Sequence, residues 1–271
     1  MGTTAEKLQN IVNVKTALSG IIADKGEAVP ARFADYPAKL QPADTLTAFS
    51  AQGYAGDIRS NMADVGDYGL YGLKCTGSVY LPRVATAGRN AFTYAEADVL
   101  HVENLTTLTG QNAFTQTKIN TLRADRLSTV TSGTGQFQYS DAKTMYVGWQ
   151  GVNGSVDQMT LAPSIAAAAL WRNCAKLETL YLGRILTGTS VGTNNKFTGC
   201  VALRTIYCGS NSPDTLQPYV SSGWTIPTPA NCTIYCWVQE ELKWYQFTWD
   251  GSAYTYAEMS DTSGMPPIPG L

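Results

Sequence analysis

The sequence predicts a repeat solenoid, mainly β, in which stacked coils each contribute one strand to a parallel β ladder. An N-terminal α-helix is expected before it and a C-terminal β-hairpin cap after it. Three observations predict this fold. A four-residue pattern of alternating polar and apolar positions recurs, an aromatic residue precedes the central copies at a fixed distance, and successive units are offset by 22, 23 or 26 residues. Units of this length cannot bury an apolar face alone, so they stack.

The first predicted element is the N-terminal α-helix. Thr3 and Glu6 have the spacing of a capping box, and Gly26 supplies a C-terminal stop because glycine accepts the left-handed cap conformation. Between them, apolar residues recur every three or four positions and form one stripe. Two interpretations stay open: the helix folds back onto the following domain, or the stripe is a coiled-coil-like seam that joins chains, with a homotrimer as the expected state. The stripe consists of Leu8, Ile11, Val14, Leu18 and Ile21.

The predicted strands come from a recurring tetrad whose second and fourth residues are apolar and whose third is usually Tyr. Side chains alternate between the two faces of a strand, so the apolar pair is expected to point inward and the Tyr outward. The copies are Ser78-Val79-Tyr80-Leu81, Thr144-Met145-Tyr146-Val147, Thr179-Leu180-Tyr181-Leu182, Thr205-Ile206-Tyr207-Cys208 and Thr233-Ile234-Tyr235-Cys236, and Val99-Leu100-His101-Val102 and Thr121-Leu122-Arg123-Ala124 fit the same frame without Tyr.

An aromatic residue stands before each central strand and is expected to fill the core behind it. Phe92, Phe114 and Phe137 lie 22 and 23 residues apart, and each is eight residues before an inward-pointing residue of its tetrad. Trp171 and Phe197 begin two later units that match each other at an offset of 26. The regular distance from aromatic residue to strand indicates that every unit packs in the same way.

Two further segments repeat less clearly. Leu105–Thr109 matches Leu127–Thr131, between one strand and the next aromatic residue. The unit from Trp149 to Leu170 is longer and rich in Ala, and Met159–Leu161 predicts one irregular strand inside it. The number of coils around this long unit is therefore left open.

The repeats resemble the leucine-rich-repeat superfamily, specifically its bacterial surface-protein type (BspA-like), which reads Ala-Phe-x-x-Cys-x-x-Leu-x-x-Ile-x-Leu-Pro. The resemblance spans roughly residues 70 to 238 and implies a leucine-rich-repeat-like parallel ladder with a column of buried thiols. The chain departs from the family pattern at Ala95, Thr117 and Ser140, where the family has Cys. The matching pieces are Asn90-Ala91-Phe92, Asn112-Ala113-Phe114, Phe197-Thr-Gly-Cys200-x-x-Leu203-x-x-Ile206 and Val79-Tyr80-Leu81-Pro82.

The N-terminal segment resembles a short module found near the N-termini of phage structural and tail-fibre-like proteins. The resemblance covers roughly residues 4 to 41 and implies attachment to other virion proteins, hence a location in the virion. The residues that carry it are Ile21-Ile22-Ala-Asp-Lys25-Gly26-Glu-Ala-Val29-Pro30-x-x-Phe33-x-x-Tyr36-x-x-x-Leu40.

The third positions of the tetrads predict an outward column with about 4.8 Å between strands. Two interpretations stay open: stacked tyrosines support the sheet through cross-strand contacts, or they form a contact surface for a host-surface glycan or protein. Tyrosine suits the second role because it joins a large apolar body to a polar tip. The candidate binding face consists of Tyr80, His101, Arg123, Tyr146, Tyr181, Tyr207 and Tyr235, with Trp237 in a flanking position.

Six cysteines are present, and none of them forms a C-x-x-C pair. Zinc and redox motifs are therefore not expected, and the cysteines are interpreted as small buried apolar residues, with disulfides as the alternative. Cys174 and Cys200 occupy the same repeat position, as do Cys208 and Cys236.

Composition argues against several functions. Lys+Arg is 19 and Asp+Glu is 21, so no basic excess is available to neutralise nucleic-acid phosphates. The single histidine, His101, rules out a multi-histidine metal site. With Glu103 it could form a base and its orienter, but it stands at a position that Tyr holds elsewhere. No P-loop or G-x-S-x-G elbow occurs, so no enzyme and no cofactor are expected, and a carbohydrate-active enzyme is kept as an alternative.

The sequence also gives no sign of membrane insertion. No run of about 18 apolar residues occurs. The N-terminus lacks a basic stretch followed by an apolar block, so no secretory signal peptide is expected. This weakens the alternative of a BspA-like adhesin on a bacterial cell surface.

Beyond Gly209 the repeat rhythm changes. A short helix is expected within Thr215–Ser222, and Val238–Trp244 has helical composition. Tyr245–Trp249 and Tyr254–Tyr256 predict a hairpin closed by a two-residue Asp-Gly turn, which would cap the solenoid. The tail Met265–Leu271 is expected to be extended, and either mobile or docked on a neighbouring subunit.

Three segments follow from these patterns. They are an attachment and oligomerisation segment at 1–45, a leucine-rich-repeat-like solenoid at 46–210, and a last repeat with cap and tail at 211–271. The expected function is that of a non-enzymatic phage structural protein, of the head-fibre, tail-fibre or decoration type. Its N-terminus would bind other virion proteins, and its repeats would be displayed for host attachment.

Overall fold

A computed structural model gives the fold of the chain. It describes residues 9, 12, 13, 15, 16, 19, 53–131, 135–150, 158–161, 170–185, 196–218, 220–221 and 224–268. The predicted stripe of Leu8, Ile11, Val14, Leu18 and Ile21 lies outside the described residues. Within them the fold is mainly β, and most strand pairs are parallel.

The larger sheet contains the predicted tetrads. Neighbouring strands pair in parallel from its first strand to its eighth, and the last two strands are antiparallel. In sheet order its strands are β1 (Ile58–Arg59), β3 (Val79–Tyr80), β5 (Glu96–His101), β7 (Lys118–Ala124), β9 (Thr144–Val147), β11 (Thr179–Leu182), β13 (Thr205–Ser210), β14 (Thr233–Val238), β15 (Lys243–Trp249) and β16 (Tyr254–Glu258).

The structure contains a second, smaller sheet, wholly parallel, that the sequence did not predict. Between successive strands of the larger sheet the chain repeatedly adds a short strand to this one, so the expectation of one strand per unit was incomplete. The repeated segments Leu105–Thr109 and Leu127–Thr131 each contain one of its strands. In sheet order they are β12 (Arg184–Ile185), β10 (Gln158–Leu161), β8 (Thr129–Val130), β6 (Thr107–Leu108), β4 (Thr86–Ala87) and β2 (Asp64–Val65).

The described residues of the long unit between Trp149 and Leu170 add no strand to the larger sheet. β9 pairs directly with β11, from Thr144 opposite Thr179 to Val147 opposite Leu182. The irregular strand expected at Met159–Leu161 is confirmed as part of β10, and it lies in the smaller sheet beside β8 and β12. The described strand of this unit thus extends the smaller sheet and leaves the pairing of the larger one uninterrupted.

One continuous core is shared by both sheets. Every tetrad residue predicted to point inward is buried, from Val79 to Cys236. The aromatic residue of each unit stacks on the next, with ring centroids 4.9 Å apart for Phe92 and Phe114 and 5.3 Å apart for Trp171 and Phe197. Truncating a buried Phe or Trp costs about 3–5 kcal/mol in well-packed cores, so this column is a main source of stability.

All six cysteines are free and buried, which confirms the thiol interpretation and makes the disulfide alternative wrong. Cys174 and Cys200 follow their aromatic residues by three positions, and each thiol donates to the main-chain oxygen of the preceding unit's aromatic residue, Phe137 and Trp171, at 2.9 and 3.0 Å. Burial raises the pKa of the Cys232 thiol to about 12. These thiols therefore act as hydrogen-bonded core residues.

The C-terminal part contains one wrong prediction and one confirmed one. Val238–Trp244 is not helical, because β14 runs to Val238 and β15 begins at Lys243. Trp237 and Trp244 are cross-strand partners and both are buried, and that burial outweighs the helical propensity of the residues between them. The predicted hairpin is confirmed as the antiparallel pair β15 and β16.

The turn of this hairpin differs from the expected two-residue type. Trp249 pairs with Tyr254, so four residues connect the strands. The Asp250 carboxylate accepts the backbone N–H of Ser252 at 2.8 Å and of Ala253 at 2.9 Å. These bonds satisfy the turn backbone and favour the longer loop. A helix, α1 (Pro213–Pro218), precedes the last parallel strand; it overlaps the region Thr215–Ser222 where a short helix was expected but begins two residues earlier.

Candidate binding face

The predicted outward column is present in full register. We call it the aromatic ladder: Arg59, Tyr80, His101, Arg123, Tyr146, Tyr181, Tyr207 and Tyr235, each paired with the next in the neighbouring parallel strand. The apolar residues on both sides of each of the seven tetrad members are buried, as is Ile58 before Arg59, so strand alternation aims these side chains away from the core. All seven tetrad positions predicted for the binding face belong to the ladder, and Arg59 extends it by one strand.

Four tyrosines form the C-terminal half of the ladder. Their ring centroids are 4.2 Å apart for Tyr146 and Tyr181, 4.8 Å for Tyr181 and Tyr207, and 5.2 Å for Tyr207 and Tyr235, with planes within 17° of parallel. Both ring faces of Tyr181 and Tyr207 are thus covered by neighbouring tyrosines, and their ring edges and hydroxyls are what remain to face outward. Burial, followed by the nearby Tyr146, raises the pKa of Tyr181 to about 12.

The N-terminal half of the ladder places cations on aromatic faces. The Arg59 guanidinium lies 3.8 Å from the Tyr80 ring centroid, and Arg123 lies 4.1 Å from that of Tyr146. His101 stacks on Tyr80 at 4.3 Å with an interplanar angle of 12°. Such contacts contribute about 0.5–1 kcal/mol at exposed sites and more when water is excluded.

Two hydrogen-bonded side-chain pairs flank this half. Arg123 donates through Nε and Nη2 to both carboxylate oxygens of Asp125, each at 2.8 Å. Asp125 is completely buried whereas the Arg123 side chain is 29% exposed, so the outer end of the pair is the guanidinium. The hydrogen bond to Asp125 raises the pKa of Arg123. His101 Nδ1 and Glu103 Oε1 are 2.8 Å apart, so the sequence-predicted pair does form.

Trp237 is not open to solvent. It is only 6% exposed and belongs to a buried cluster with Trp149 and Trp244. Met265 and Ile268 of the tail pack against this cluster together with the ladder tyrosines. The described part of the tail therefore docks on its own chain, contrary to the expectation that it is mobile or bound to a neighbour.

An open cleft lies where the tail crosses the ladder. Its volume is about 500 Å³. Arg123, Tyr146 and Tyr181 of the ladder, with Trp149 and Gln150, line one part of it. The remaining lining is the tail segment Pro266, Pro267 and Ile268. Sequence reasoning identified the ladder residues but missed the cleft, because the tail carries no repeat signal that would assign it to this surface.

A second group of tyrosines was missed entirely. We call Tyr68, Tyr71 and Tyr94 the turn tyrosines. They lie in the turns before the strands and are 41% to 52% exposed. Their rings are tilted, at 49° between Tyr68 and Tyr71 and 78° between Tyr71 and Tyr94. Tyr68 occupies the turn position of Asn90 and Asn112, and that alignment is the signal that could have revealed it.

No match to the chain is found among protein-family models, curated proteins or solved structures. In the part of the chain that the structure describes, no three His, Cys, Asp or Glu side chains come together as metal ligands would. Over the same residues, no helix has the length and apolar character needed to cross a membrane.

Proposed function

We propose that the chain is a non-enzymatic phage virion structural protein whose repeat domain binds a component of the host surface. The aromatic ladder carries the proposal. It aligns eight large side chains in register on one face, and seven of them had been singled out by their outward position. Tyr and Arg are the residue types enriched at the energetic centres of binding surfaces.

The fold we propose for this domain is a leucine-rich-repeat-like solenoid of the BspA-like type. Support comes from the alternation of the chain between two parallel sheets and from the aromatic column of Phe92, Phe114, Phe137, Trp171 and Phe197, one residue per unit. Such repeats present a long regular surface, and the ladder runs along it.

The attachment function is assigned to residues 1–45. Its support is the sequence resemblance of that segment to phage structural proteins and the apolar stripe from Leu8 to Ile21, through which three copies would associate. In this arrangement the N-termini bind other virion proteins and the repeat domains face outward, as in a head or tail fibre.

The virion location is tested on particles purified from cells that carry the gene. An antibody raised against the full chain should label these particles in immunogold electron microscopy, and peptides of the chain should be found in them by mass spectrometry. Labelling of the host cell wall with no label on particles would instead support an adhesin and contradict the virion proposal.

Host binding is tested with the fluorescently labelled full chain on cells that the particles infect. The double substitution of Tyr181 and Tyr207 by Ser should reduce cell binding at least about 10-fold, because it removes two central rungs of the ladder. Tyr94→Ser is the matched control, since it removes an exposed tyrosine outside the ladder. Equal binding by the folded double variant and the wild type would show that the ladder is not the binding face.

A further inference from the structure

The cleft under the tail has two chemically different walls. One wall consists of Arg123, Tyr146 and Tyr181 of the ladder with the neighbouring Trp149 and Gln150. Because Trp149 is only 4% exposed, this wall presents mainly tyrosine hydroxyls, the Gln150 amide and the Arg123 guanidinium. The other wall is apolar and belongs to the tail: Pro266, Pro267 and Ile268. A volume of about 500 Å³ lies within the usual range of small-ligand sites.

From this arrangement we infer that the cleft binds a neutral saccharide unit, and that the C-terminal tail is part of the binding site. The inference rests on the proposed host-binding function and names the class of ligand for it. A pyranose ring has hydroxyls around its rim and an apolar face of C–H groups. It therefore matches a slot with hydrogen-bonding groups on one side and apolar atoms on the other.

Charge selects a neutral ligand. Among the described residues that line the cleft, only Arg123 is charged, and its partner Asp125, completely buried behind it, offsets that charge. The Asp125 carboxylate accepts hydrogen bonds from Nε and Nη2 of Arg123. The guanidinium has three further N–H groups, which can donate to sugar oxygens. The tyrosine hydroxyls and the Gln150 amide are uncharged, and both types of group can donate and accept.

The stacking of the ladder explains why the tail is needed. Tyr181 has Tyr146 on one ring face and Tyr207 on the other, at 4.2 and 4.8 Å, so neither face can stack on a sugar. Tyr146 is covered on its other side by Arg123 at 4.1 Å. The ladder consequently offers hydroxyls and ring edges, and the apolar face of the sugar packs against Pro266, Pro267 and Ile268 instead.

A protein partner fits the same cleft less well. The cleft has a volume of only about 500 Å³, whereas protein interfaces of specific complexes bury about 800 Å² on each partner. The tail and the cluster of Trp149, Trp237 and Trp244 already cover part of the ladder that such a partner would need. A single saccharide unit needs no further surface.

The inference is tested by applying the full-length chain to an array of immobilised oligosaccharides. The array includes neutral hexose and N-acetylhexosamine members and members that contain uronic acid. Neutral members should bind, and the strongest of them is then titrated in solution by calorimetry. Gln150→Ala and Tyr181→Phe should each weaken its affinity about 5- to 10-fold, as expected for loss of one hydrogen bond, while Tyr94→Ala should leave it unchanged.

The tail is tested by ending the chain after Met265 and, at full length, by Ile268→Ser. Each variant should lower the affinity for the saccharide at least about 10-fold, while thermal unfolding shows that the fold persists. Undiminished affinity in both variants would overturn the role of the tail. Binding confined to uronic-acid members would overturn the neutral class.

Failure on the array is distinguishable from failure of the proposed function. If no array member binds while the labelled chain still binds host cells, and protease treatment of those cells abolishes that binding, the saccharide inference is wrong and host attachment stands. If periodate oxidation of the cell surface abolishes binding and protease does not, the inference gains support.

Discussion

The aromatic ladder and the turn tyrosines use the same residue in opposite ways. In the ladder, Tyr181 is half-buried and sandwiched between parallel rings at 4.2 and 4.8 Å. In the turns, Tyr71 is exposed and its neighbours are tilted by 49° and 78°, so its ring faces are not stacked on parallel rings. Position in the repeat thus decides whether a tyrosine ring is stacked between neighbouring rings or exposed to solvent.

The two groups also differ in backbone cost. Ladder tyrosines have the extended backbone of a strand, a conformation in which aromatic residues are enriched. Tyr68 and Tyr94 instead have φ values of +57° and +60°, a left-handed conformation that is unfavourable for a bulky side chain. The ladder therefore stabilises the fold through its tyrosines, whereas the backbone conformation of Tyr68 and Tyr94 costs stability in the turns.

The largest effect is expected from Arg123→Ala. This change leaves the buried Asp125 carboxylate without its charge partner and removes the cation from the Tyr146 face, so unfolding free energy should fall by about 3–5 kcal/mol. Urea denaturation measures it. Arg59→Ala is the matched control: it removes a cation from Tyr80 at the end of the ladder, and about 0.5–1 kcal/mol should be lost. Equal losses would mean that Asp125 does not depend on Arg123.

The ladder could be predicted from sequence because its tetrads carry a two-residue period over four positions, which fixes both face and register. Thr144 and Thr179, for example, pair as the aligned tetrads require. The smaller sheet could not be predicted in the same way. β4, β6 and β8 contain two residues each, and a two-residue strand has no period to detect.

A second comparison removes one tyrosine from each group. Tyr181→Ala loses two parallel stacks and an edge contact with Trp149, so unfolding free energy should fall by about 2–3 kcal/mol. Tyr94→Ala removes an exposed ring from a strained turn and should change stability by less than about 0.5 kcal/mol. Both are measured by urea unfolding at neutral pH. Similar losses from both changes would show that stacking is not what distinguishes the groups.

The candidate site was only half predictable for a related reason. Tyr146 and Tyr181 were found through the tetrad, but Trp149 and Gln150 follow it directly and repeat nowhere else. The contact of Ile268 with this surface is a tertiary one between segments that are distant in sequence, and no local pattern in Met265–Leu271 encodes it. A repeat pattern reveals only the residues that recur in each unit, whereas the cleft also depends on residues that occur once.

The stability of the protein should depend on pH through the phenol of Tyr181 in the ladder. Burial and the neighbouring Tyr146 raise the pKa of Tyr181 to about 12, above the usual 10, so the folded protein holds this proton more tightly than the unfolded chain. Stability from the neutral phenol is therefore fully present below pH 10 and is lost as pH rises from 10 towards 12. Tyr181→Phe cannot ionise, so its unfolding free energy relative to wild type should increase between pH 9 and pH 11. A constant difference between the two proteins would contradict the raised pKa of Tyr181 in the folded protein.

The smallest effect has the opposite sign and lies in the turns. Tyr68 stands where Asn90 and Asn112 stand in the next two units, all with φ between +51° and +58°. Asn tolerates this conformation better than Tyr, so Tyr68→Asn should gain about 0.5–1 kcal/mol from the backbone and lose part of it with the tilted contact to Tyr71 at 5.9 Å. The net result should be a rise in melting temperature of about 1–2 °C.

Tyr71→Asn separates the backbone contribution from that of the rings. Tyr71 is not among the residues with positive φ, and it contacts both Tyr68 and Tyr94, at 5.9 and 5.4 Å. The same substitution here relieves no strain and removes two contacts, so the melting temperature should fall slightly. A rise for Tyr68→Asn beside a fall for Tyr71→Asn would establish that the turn carries Tyr68 at the expense of stability. Falls of equal size in both variants would mean that ring contacts, and not the left-handed backbone, set the stability of these turns.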